Sequence, residues 1–579
     1  LTTDPGTRTA RLAEEIGTIR KNRRGKIFVA LVFPSPYAVG MANLGLQTIY
    51  GLLNRRAEVV CERVFLPESA PPAAGRLATL ESGRPVAEAD IVAFSIAFEN
   101  DYPNLLALLA AAGLPLFSCE RTARHPLVIA GGVACTLNPE PIAPFCDAFL
   151  IGEAEESLPA FMDGFDPAAD REGLLPAAAR RVPGLYVPRC YRPEYRPDGT
   201  LARFAPQADV PPRIHRPRLA ELDREATVST VTSPHTAFGD AFLVEIGRGC
   251  AHGCRFCSTG FAARPPRFRA TAALEAAVRR GLAHGRRIGL VGAAVSDLPG
   301  LGELCAGFDG EGASFTFSSL RADALTPGLA RVLARSGVKT ATIAPEAGSE
   351  RLRRVINKGV TEEQVLAAAE TLLAHGIPNL KLYFMVGLPT ETAEDIEAII
   401  ALVKAVKHRF LKLSRGRGAI GTVSVSVNSF VPKAFTPFQW AAMADVPALK
   451  GKLKRLAAAL RRIPNVRFSG DIPRWAYVQG LLARGDRRVA GILAAVHAHG
   501  GNWARALKET AVNADFFALR ERPREELFPW DFIAAGVDKQ FLWDDYQRAL
   551  AGRPGAACRP GSCRLCGACG AAEEGAGGR

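Results

Sequence analysis

Short continuous apolar runs alternate along the chain with longer stretches in which apolar residues recur every three or four positions. "KIFVALVF" (26–33), "DIVAFSIAF" (90–98) and "HPLVIAGG" (125–132) are runs of the kind that strands buried on both faces show. "LGLQTIYGLLNRR" places Leu46, Ile49, Tyr50 and Leu53 on one helical face. A helical run at 103–112 and "CDAFLIGEAEESLPAFM" continue the alternation. Strands alternating with helices predict a parallel sheet covered on both sides. The expectation is a polar N-terminal arm over 1–25 and a doubly wound α/β domain over 26–165. Residues 166–235, rich in Pro and Arg, read as a linker with a hairpin near "GLYVPRCY".

The rhythm resumes at "AFLVEIGRGC". Strand-like runs stand at 242–247, 287–293, 314–320, 339–345, 379–387 and 422–430. Helical stretches separate them, such as "TAALEAAVRRGLAHG", with Thr271 as its expected N-cap, and "TEEQVLAAAETLLAHG", with Thr361 and Gly376 marking its ends. Successive βα units predict a partial (β/α)6 TIM-type barrel over 236–445. On such barrels the reacting groups stand where strands end. That rule selects Cys250, Ser296, Asp297, Ser319, Arg321, Glu346, Glu391 and Asn428. A helical C-terminal region is expected over 446–550, then a Gly/Ala-rich, cysteine-bearing tail over 551–579.

Charge changes this picture little. Lys+Arg 72 against Asp+Glu 58 gives a net charge of +14. No lysine-rich tail or helix-long basic stripe accompanies it, so it reads as compositional bias, and nucleic acid is not supported as a partner. No apolar run approaches the roughly 20 residues of a bilayer span, so no membrane partner is expected. The opening "LTTDPGTRTARLAEE" lacks the order of a secretory signal, which makes a cytoplasmic protein the expectation.

Cysteine changes it more. Of 13 cysteines, seven fall in two tight clusters, the spacing of metal ligands rather than of a disulfide framework. Cys61, Cys119, Cys135, Cys146, Cys190 and Cys305 are scattered and read as small, mostly buried apolar residues. In "EIGRGCAHGCRFCSTG", Cys250, Cys254 and Cys257 are spaced C-x3-C-x2-C. Soft thiolates select iron–sulfur clusters, zinc or copper(I). A cubane takes four ligands, so three cysteines leave one iron open. Gly247, Gly249, Gly253 and Gly260 let the backbone wrap such a cluster, and Arg248 and Arg255 are expected to offset its negative charge. In the tail, Cys558, Cys563, Cys566 and Cys569 follow C-x4-C-x2-C-x2-C and suffice to close a site alone, as an auxiliary iron–sulfur cluster or a zinc site.

The three-cysteine loop, with Phe256 before the third cysteine and a strand before it, resembles the radical S-adenosylmethionine (SAM) superfamily. The resemblance implies a 4Fe-4S cluster on Cys250, Cys254 and Cys257 whose open iron chelates SAM. It implies reductive cleavage of SAM to a 5′-deoxyadenosyl radical, fed by an electron donor of flavodoxin or ferredoxin type. By the same resemblance, Ser319 and Arg321 reach the methionyl carboxylate, Glu346 lies near the ribose or substrate, and the Gly387 segment "YFMVGLPTET" lines the adenine. Asn428 joins this cofactor-binding set, while Glu346 and Arg321 are the catalytic candidates. The Gly-Gly-Glu that follows the second strand in many members is reduced here to Gly292 in "VGAAVSD".

The first domain resembles the N-terminal domain of cobalamin-binding radical SAM proteins, through "FPSPYAVGMANLGLQTIYGLLN", "AFSIAFENDYPNLLALL" and "IAGGVACTLNPEPI". That implies strand-end loops holding a corrin, with Gly131 and Gly132 near its nucleotide tail. The D-x-H-x-x-G signature of a lower axial histidine is absent, and His125 is the only histidine of the domain. "MANLG", "NPEP", "FVPKAFTPFQW", "ARGDRR" and "PWDFIAAGVDKQFL", in this order, resemble a B12-domain-type radical SAM family without an assigned reaction, whose members often accompany a small radical SAM-linked partner protein. "FVPKAFTPFQW" is expected to line the substrate mouth, and "RGDRR" to be a helix cap with solvated arginines. Three functions stand at this point. One is a radical SAM enzyme, as a cobalamin-dependent methyltransferase if cobalamin is bound. Another is a cobalamin-free RNA-modifying enzyme of methylthiotransferase type. The third is a non-enzymatic metal scaffold.

Overall fold

The computed structural model describes residues 5–68, 74–317, 320–414, 421–556, 558–560 and 563–569. The chain divides into two compact units, one of residues 1–242, 481–517 and 525–535, the other of 243–480, 518–524 and 536–579. Among the described residues no helix is long and apolar enough to cross a membrane.

The first unit is built on β1 (Ile27–Phe33), β2 (Val59–Phe65), β3 (Ile91–Ser95), β4 (Leu127–Gly131), β5 (Ala148–Leu150) and β6 (Leu185–Tyr186). Their order is β2-β1-β3-β4-β5-β6, the first five parallel and β6 antiparallel at the edge. β1, β3 and β4 are apolar runs buried along nearly their whole length, because helices cover both faces, and β2 is equally buried but carries Glu62 and Arg63. The helix Leu44–Arg55 shows how local sequence sets the layer: Asn43 caps it by accepting from the Leu46 N–H, and Leu46, Tyr50 and Leu53 face inward. Between the sheet and the helices Leu44–Arg55 and Ala154–Met162 lies an apolar cavity of about 50 Å³, lined by Leu31, Leu53, Ala93, Gly131, Leu158 and Met162 among others.

The expected linker is part of this unit. It carries a helix (Arg171–Arg181), the edge strand β6 and the expected hairpin, β7 (Tyr191–Tyr195) with β8 (Leu201–Pro206). Further on, β9 (Ile214–His215) pairs with Ile533–Ala534. The N-terminal arm is tied in as well, since buried Glu15 pairs with Arg63 at 2.6 Å and accepts from the Tyr37 hydroxyl.

"NPEP" and "RGDRR" recognise each other here. The Asn138 amide donates to the carbonyls of Ala483 and Gly485, and Arg487 pairs with buried Glu140 at 3.1 Å. Arg488 pairs with Asp486 and lies 4.0 Å from the Tyr195 ring centroid. The expectation of solvated arginines therefore gives way to a polar latch. Burial of Glu140 requires a cation, and Arg487 supplies it.

The second unit runs through β10 (Phe242–Glu245), β11 (Gly247–Arg248), β12 (Arg267–Phe268), β13 (Arg287–Val291), β14 (Ser314–Phe317), β15 (Thr340–Glu346), β16 (Asn379–Val386), β17 (Val423–Ser429) and β18 (Val466–Gly470). β10-β13-β14 form one sheet and β15-β16-β17-β18 another. A parallel bridge from Leu320 to Ile343 links the end of β14 to β15. This is the expected βα layer with one strand more than predicted. β18 falls inside the region expected to be helical, because "VRFSG" has no apolar run and buries only Val466 at the sheet edge. Burial alternates along β15, β16 and β17, so helices cover one face while Glu346, Tyr383, Met385, Ser426 and Asn428 line the more open one.

Two further expectations change. Thr271 is the first helical residue and Ala270 the cap, whereas Thr361 forms a full capping box with Gln364. "FVPKAFTPFQW" is buried rather than at a mouth: Trp440 is 0% exposed and meets Trp543 and Tyr546 of the helix Lys539–Leu550 with ring centroids 5.2 and 6.1 Å apart.

Candidate functional site

The three-cysteine loop leaves β10 and is clamped at its base by the antiparallel pair β11/β12. Gly249 has φ 81°, and a Cβ there would meet the Ala263 carbonyl at 2.4 Å, so only glycine admits the turn. Tight turns then carry the thiols: the Cys257 N–H donates to the Cys254 carbonyl at 3.0 Å, and the Gly260 N–H to that of Cys257 at 3.2 Å. Cys254 is buried, while Cys250 and Cys257 are half-buried. All three lie within electrostatic reach of one another. Burial pushes the Cys250 thiol up and the Cys254 thiol up to about 11, while Arg321 and Lys358 pull the latter the other way. A metal that binds thiolates removes those protons outright.

The arginines next to the thiols do not supply the compensating charge. Arg248 is held by Glu245 at 3.0 Å. Arg255, 0% exposed, turns away into a two-bond pair with Asp545 at 2.9 and 3.1 Å. It also donates to the carbonyls of Arg354, Val355 and Arg553. The expectation for Arg248 and Arg255 is thus corrected. A buried carboxylate outcompetes a half-exposed thiol for a guanidinium, because two parallel hydrogen bonds form there. The positive groups that reach Cys254 are Lys358 and Arg321.

Arg321 is held by Asp323 through two bonds at 3.0 and 2.8 Å and donates to the Lys358 carbonyl at 3.0 Å. The Lys358 ammonium lies 3.3 Å from Glu346. Glu346 closes β15 with φ 69°, a conformation that costs a non-glycine residue energy and concentrates at functional sites. Burial raises its carboxyl above the ordinary range, against the pull of Lys358 and Arg321. Beyond β13, His252 Nε2 lies 2.6 Å from Asp297 without hydrogen-bond alignment, and the buried Ser296 hydroxyl has no partner. Lys358, His252 and Asp323 escape the strand-end rule. Lys358 comes after a helix, in "INKGV", and only the fold returns it to the thiols.

The structure brings together Cys250, Cys254, Cys257, Arg321, Asp297 and Glu346. Ser319 lies outside the described residues. Asn428 is exposed on the open face of β17, and Gly387 packs so that a Cβ would meet Leu449 at 2.8 Å. A Cβ on Gly292 would meet the Ile246 side chain at 2.9 Å, and Glu391 accepts from the Gly387 N–H and pairs with Lys452. In the first unit, Gly131 and Gly132 line the apolar cavity. A Cβ on Gly132 would also meet the Ile96 carbonyl at 2.4 Å, so the fold itself requires that glycine. Cys563, Cys566 and Cys569 each lie within electrostatic reach of Cys558. Among the described residues no group of three or more His, Cys, Asp or Glu is gathered as ligands of one ion. A cubane asks for something else: each thiolate binds a separate iron, and the ligands stand further apart.

The chain is similar to known proteins. The family described as "Radical SAM proteins, N-terminal" matches residues 45–188, and "Radical SAM superfamily" matches 244–403. The uncharacterized protein MJ0966 of Methanocaldococcus jannaschii is 30% identical over 467 residues, covering 80% of this chain and 90% of its own length. The uncharacterized methyltransferase PH0819 of Pyrococcus horikoshii is 25% identical over 297 residues, 48% of this chain and 57% of its own. Among solved structures, the radical SAM methyltransferase TsrM from Kitasatospora setae, with cobalamin and a 4Fe-4S cluster bound, aligns with TM-score 0.46 and 13% identity over 84% of this chain and 100% of that one.

Proposed function

Since the chain belongs to the radical SAM superfamily, we propose that it is an enzyme that reductively cleaves SAM at Cys250, Cys254 and Cys257 and transfers a methyl group with the help of cobalamin. The observation that carries the first part is the convergence of those thiols with Arg321, Lys358 and Glu346 at the strand ends of the second unit. A 4Fe-4S cluster there would supply the electron that splits SAM into methionine and a 5′-deoxyadenosyl radical. The chain's own groups do the rest. Lys358 and Arg321 favour thiolate over thiol at Cys254 and present positive charge to a methionyl carboxylate. Glu346, with its carboxyl raised, takes a ribose hydroxyl or the substrate, and the orphaned Ser296 hydroxyl is ready for a ligand group. The electron comes from a low-potential flavodoxin or ferredoxin.

The cobalamin half rests on the first unit. A strand order of 2-1-3-4-5 puts the crevice for a ligand at the carboxyl ends of β1 and β3. Three large apolar side chains stand exposed in the segments that follow β1, β3 and β4: Val39 at 48%, Phe98 at 44% and Val133 at 52%. An apolar rim at a switch point suits a flat, largely apolar ring, and the relative described as a methyltransferase agrees with the reaction. The four tail cysteines complete the cofactor set as an iron–sulfur or zinc site.

The test is anaerobic reconstitution with iron and sulfide, reduction, addition of SAM, and measurement of 5′-deoxyadenosine. Cys250→Ala, Cys254→Ala and Cys257→Ala abolish the product and Cys569→Ala does not. A wild-type protein that loads iron yet never forms 5′-deoxyadenosine sinks the reading. Purification with hydroxocobalamin tests the second half, since a corrin-free protein that still cleaves SAM returns the cobalamin-free alternative.

A further inference from the structure

The described residues 558–560 and 563–569 carry four thiols but form no helix or strand. The segment turns its large aliphatic side chain outward, with Leu565 63% exposed, and its sulfur inward, with Cys566 4% exposed and the other three half-buried. Apolar burial does not organise a peptide of that pattern; a cross-link between the thiols does. The Leu565 N–H donates to Cys563 Sγ at 3.5 Å, the kind of bond that offsets charge on cluster thiolates. The Arg264 guanidinium is within electrostatic reach of Cys558. The Cys566 carbonyl accepts from the Asp538 N–H at 2.9 Å, which seats the segment at the start of the helix Lys539–Leu550.

The root of this segment is tied to the first thiol loop. Asn357 accepts from the Gly555 N–H at 3.0 Å and donates to the carbonyl of Gly253, the residue before Cys254, at 2.9 Å. Arg255, between Cys254 and Cys257, donates to the Arg553 carbonyl at 2.8 Å. Cys563, Cys566 and Cys569 follow C-x2-C-x2-C, the spacing of half a bacterial ferredoxin ligand run, which favours iron–sulfur over zinc. We propose that Cys558, Cys563, Cys566 and Cys569 hold a second iron–sulfur cluster, and that Asn357 and Arg255 couple its assembly to the loop bearing Cys250, Cys254 and Cys257. The coupling rests on the reading of that loop as a cluster site; the second cluster itself does not.

The full chain is reconstituted anaerobically with iron and sulfide, and iron, acid-labile sulfide and zinc are counted. The triple variant Cys250→Ala/Cys254→Ala/Cys257→Ala keeps about half of the wild-type iron and sulfide, and its tail resists trypsin after Arg564. Absence of iron from that variant, or zinc in its place, overturns the second cluster. The quadruple variant Cys558→Ser/Cys563→Ser/Cys566→Ser/Cys569→Ser keeps iron at the first site but loses it to a chelator several-fold faster than wild type; wild-type iron that never exceeds that of the triple variant counts against the proposed SAM site and the coupling but leaves the second cluster standing. Asn357→Gly suits the φ of 52° at that position and removes only the bridging amide. It leaves total iron unchanged, while a chelator strips the SAM-responsive half several-fold faster than in wild type. An unchanged stripping rate overturns the coupling.

Discussion

Asp545→Asn removes the carboxylate beneath the thiol loop with almost no change of volume. Arg255 is 0% and Asp545 2% exposed, and two bonds of 2.9 and 3.1 Å join them. Leaving such a guanidinium buried without its counter-charge costs about 3 kcal/mol. That corresponds to roughly a hundredfold faster opening of the segment it secures. Arg255→Met is harsher, because it orphans Asp545 together with the carbonyls of Arg354, Val355 and Arg553. The double variant frees the orphaned carboxylate and is therefore milder than the sum of the two, by about 2 kcal/mol. Amide hydrogen exchange across residues 539–550 measures each opening free energy locally, without requiring the whole chain to unfold as one unit. Additive effects, with a coupling below about 0.5 kcal/mol, would refute the reasoning that this pair carries the loop.

Asp101 accepts from Ser35 at 2.9 Å, and burial raises its carboxyl to about 6, with Glu99 adding to the rise. A raised acid stabilises the fold fully below its unfolded value and loses that contribution as pH climbs through the folded one, so wild type sheds on the order of 2 kcal/mol between about pH 4 and 6 that Asp101→Asn does not; urea midpoints across that window test it. Lys358→Met leaves Glu346 buried without its ammonium and lowers the melting temperature; adding Glu346→Gln restores the melt but not 5′-deoxyadenosine formation, and recovery of product would remove these residues from the SAM site. Val133→Asp forfeits about 1.5–3 kcal/mol of apolar contact, so cobalamin affinity falls at least about tenfold in a spectrophotometric titration; unchanged affinity displaces the corrin from that rim.

Much of the architecture was legible because it is written in short-range rhythm. Buried parallel strands must be apolar throughout, and β1, β3 and β4 are. A helix must cap its first N–H groups, and Thr361 and Gln364 do so within one turn. β18 was not legible, since an edge strand needs only a partner's backbone and "VRFSG" shows no face of its own. The mouth assigned to "FVPKAFTPFQW" was misread because an apolar strand exit serves equally to line a pocket or to fill a core; Tyr546 and Trp543, a hundred residues on, make it core.

The chain's local order is enough to establish an α/β protein with a glycine-wrapped trio of thiols at a strand end, because strand, turn and ligand spacing are all settled within a few residues. Which charges serve those thiols is settled elsewhere. Arg255 is adjacent to them in sequence yet is taken by Asp545, 290 positions away, while Lys358 arrives from beyond a helix. Ion pairs form between whatever groups folding desolvates together, and that neighbourhood exists only once the βα layer has closed over it.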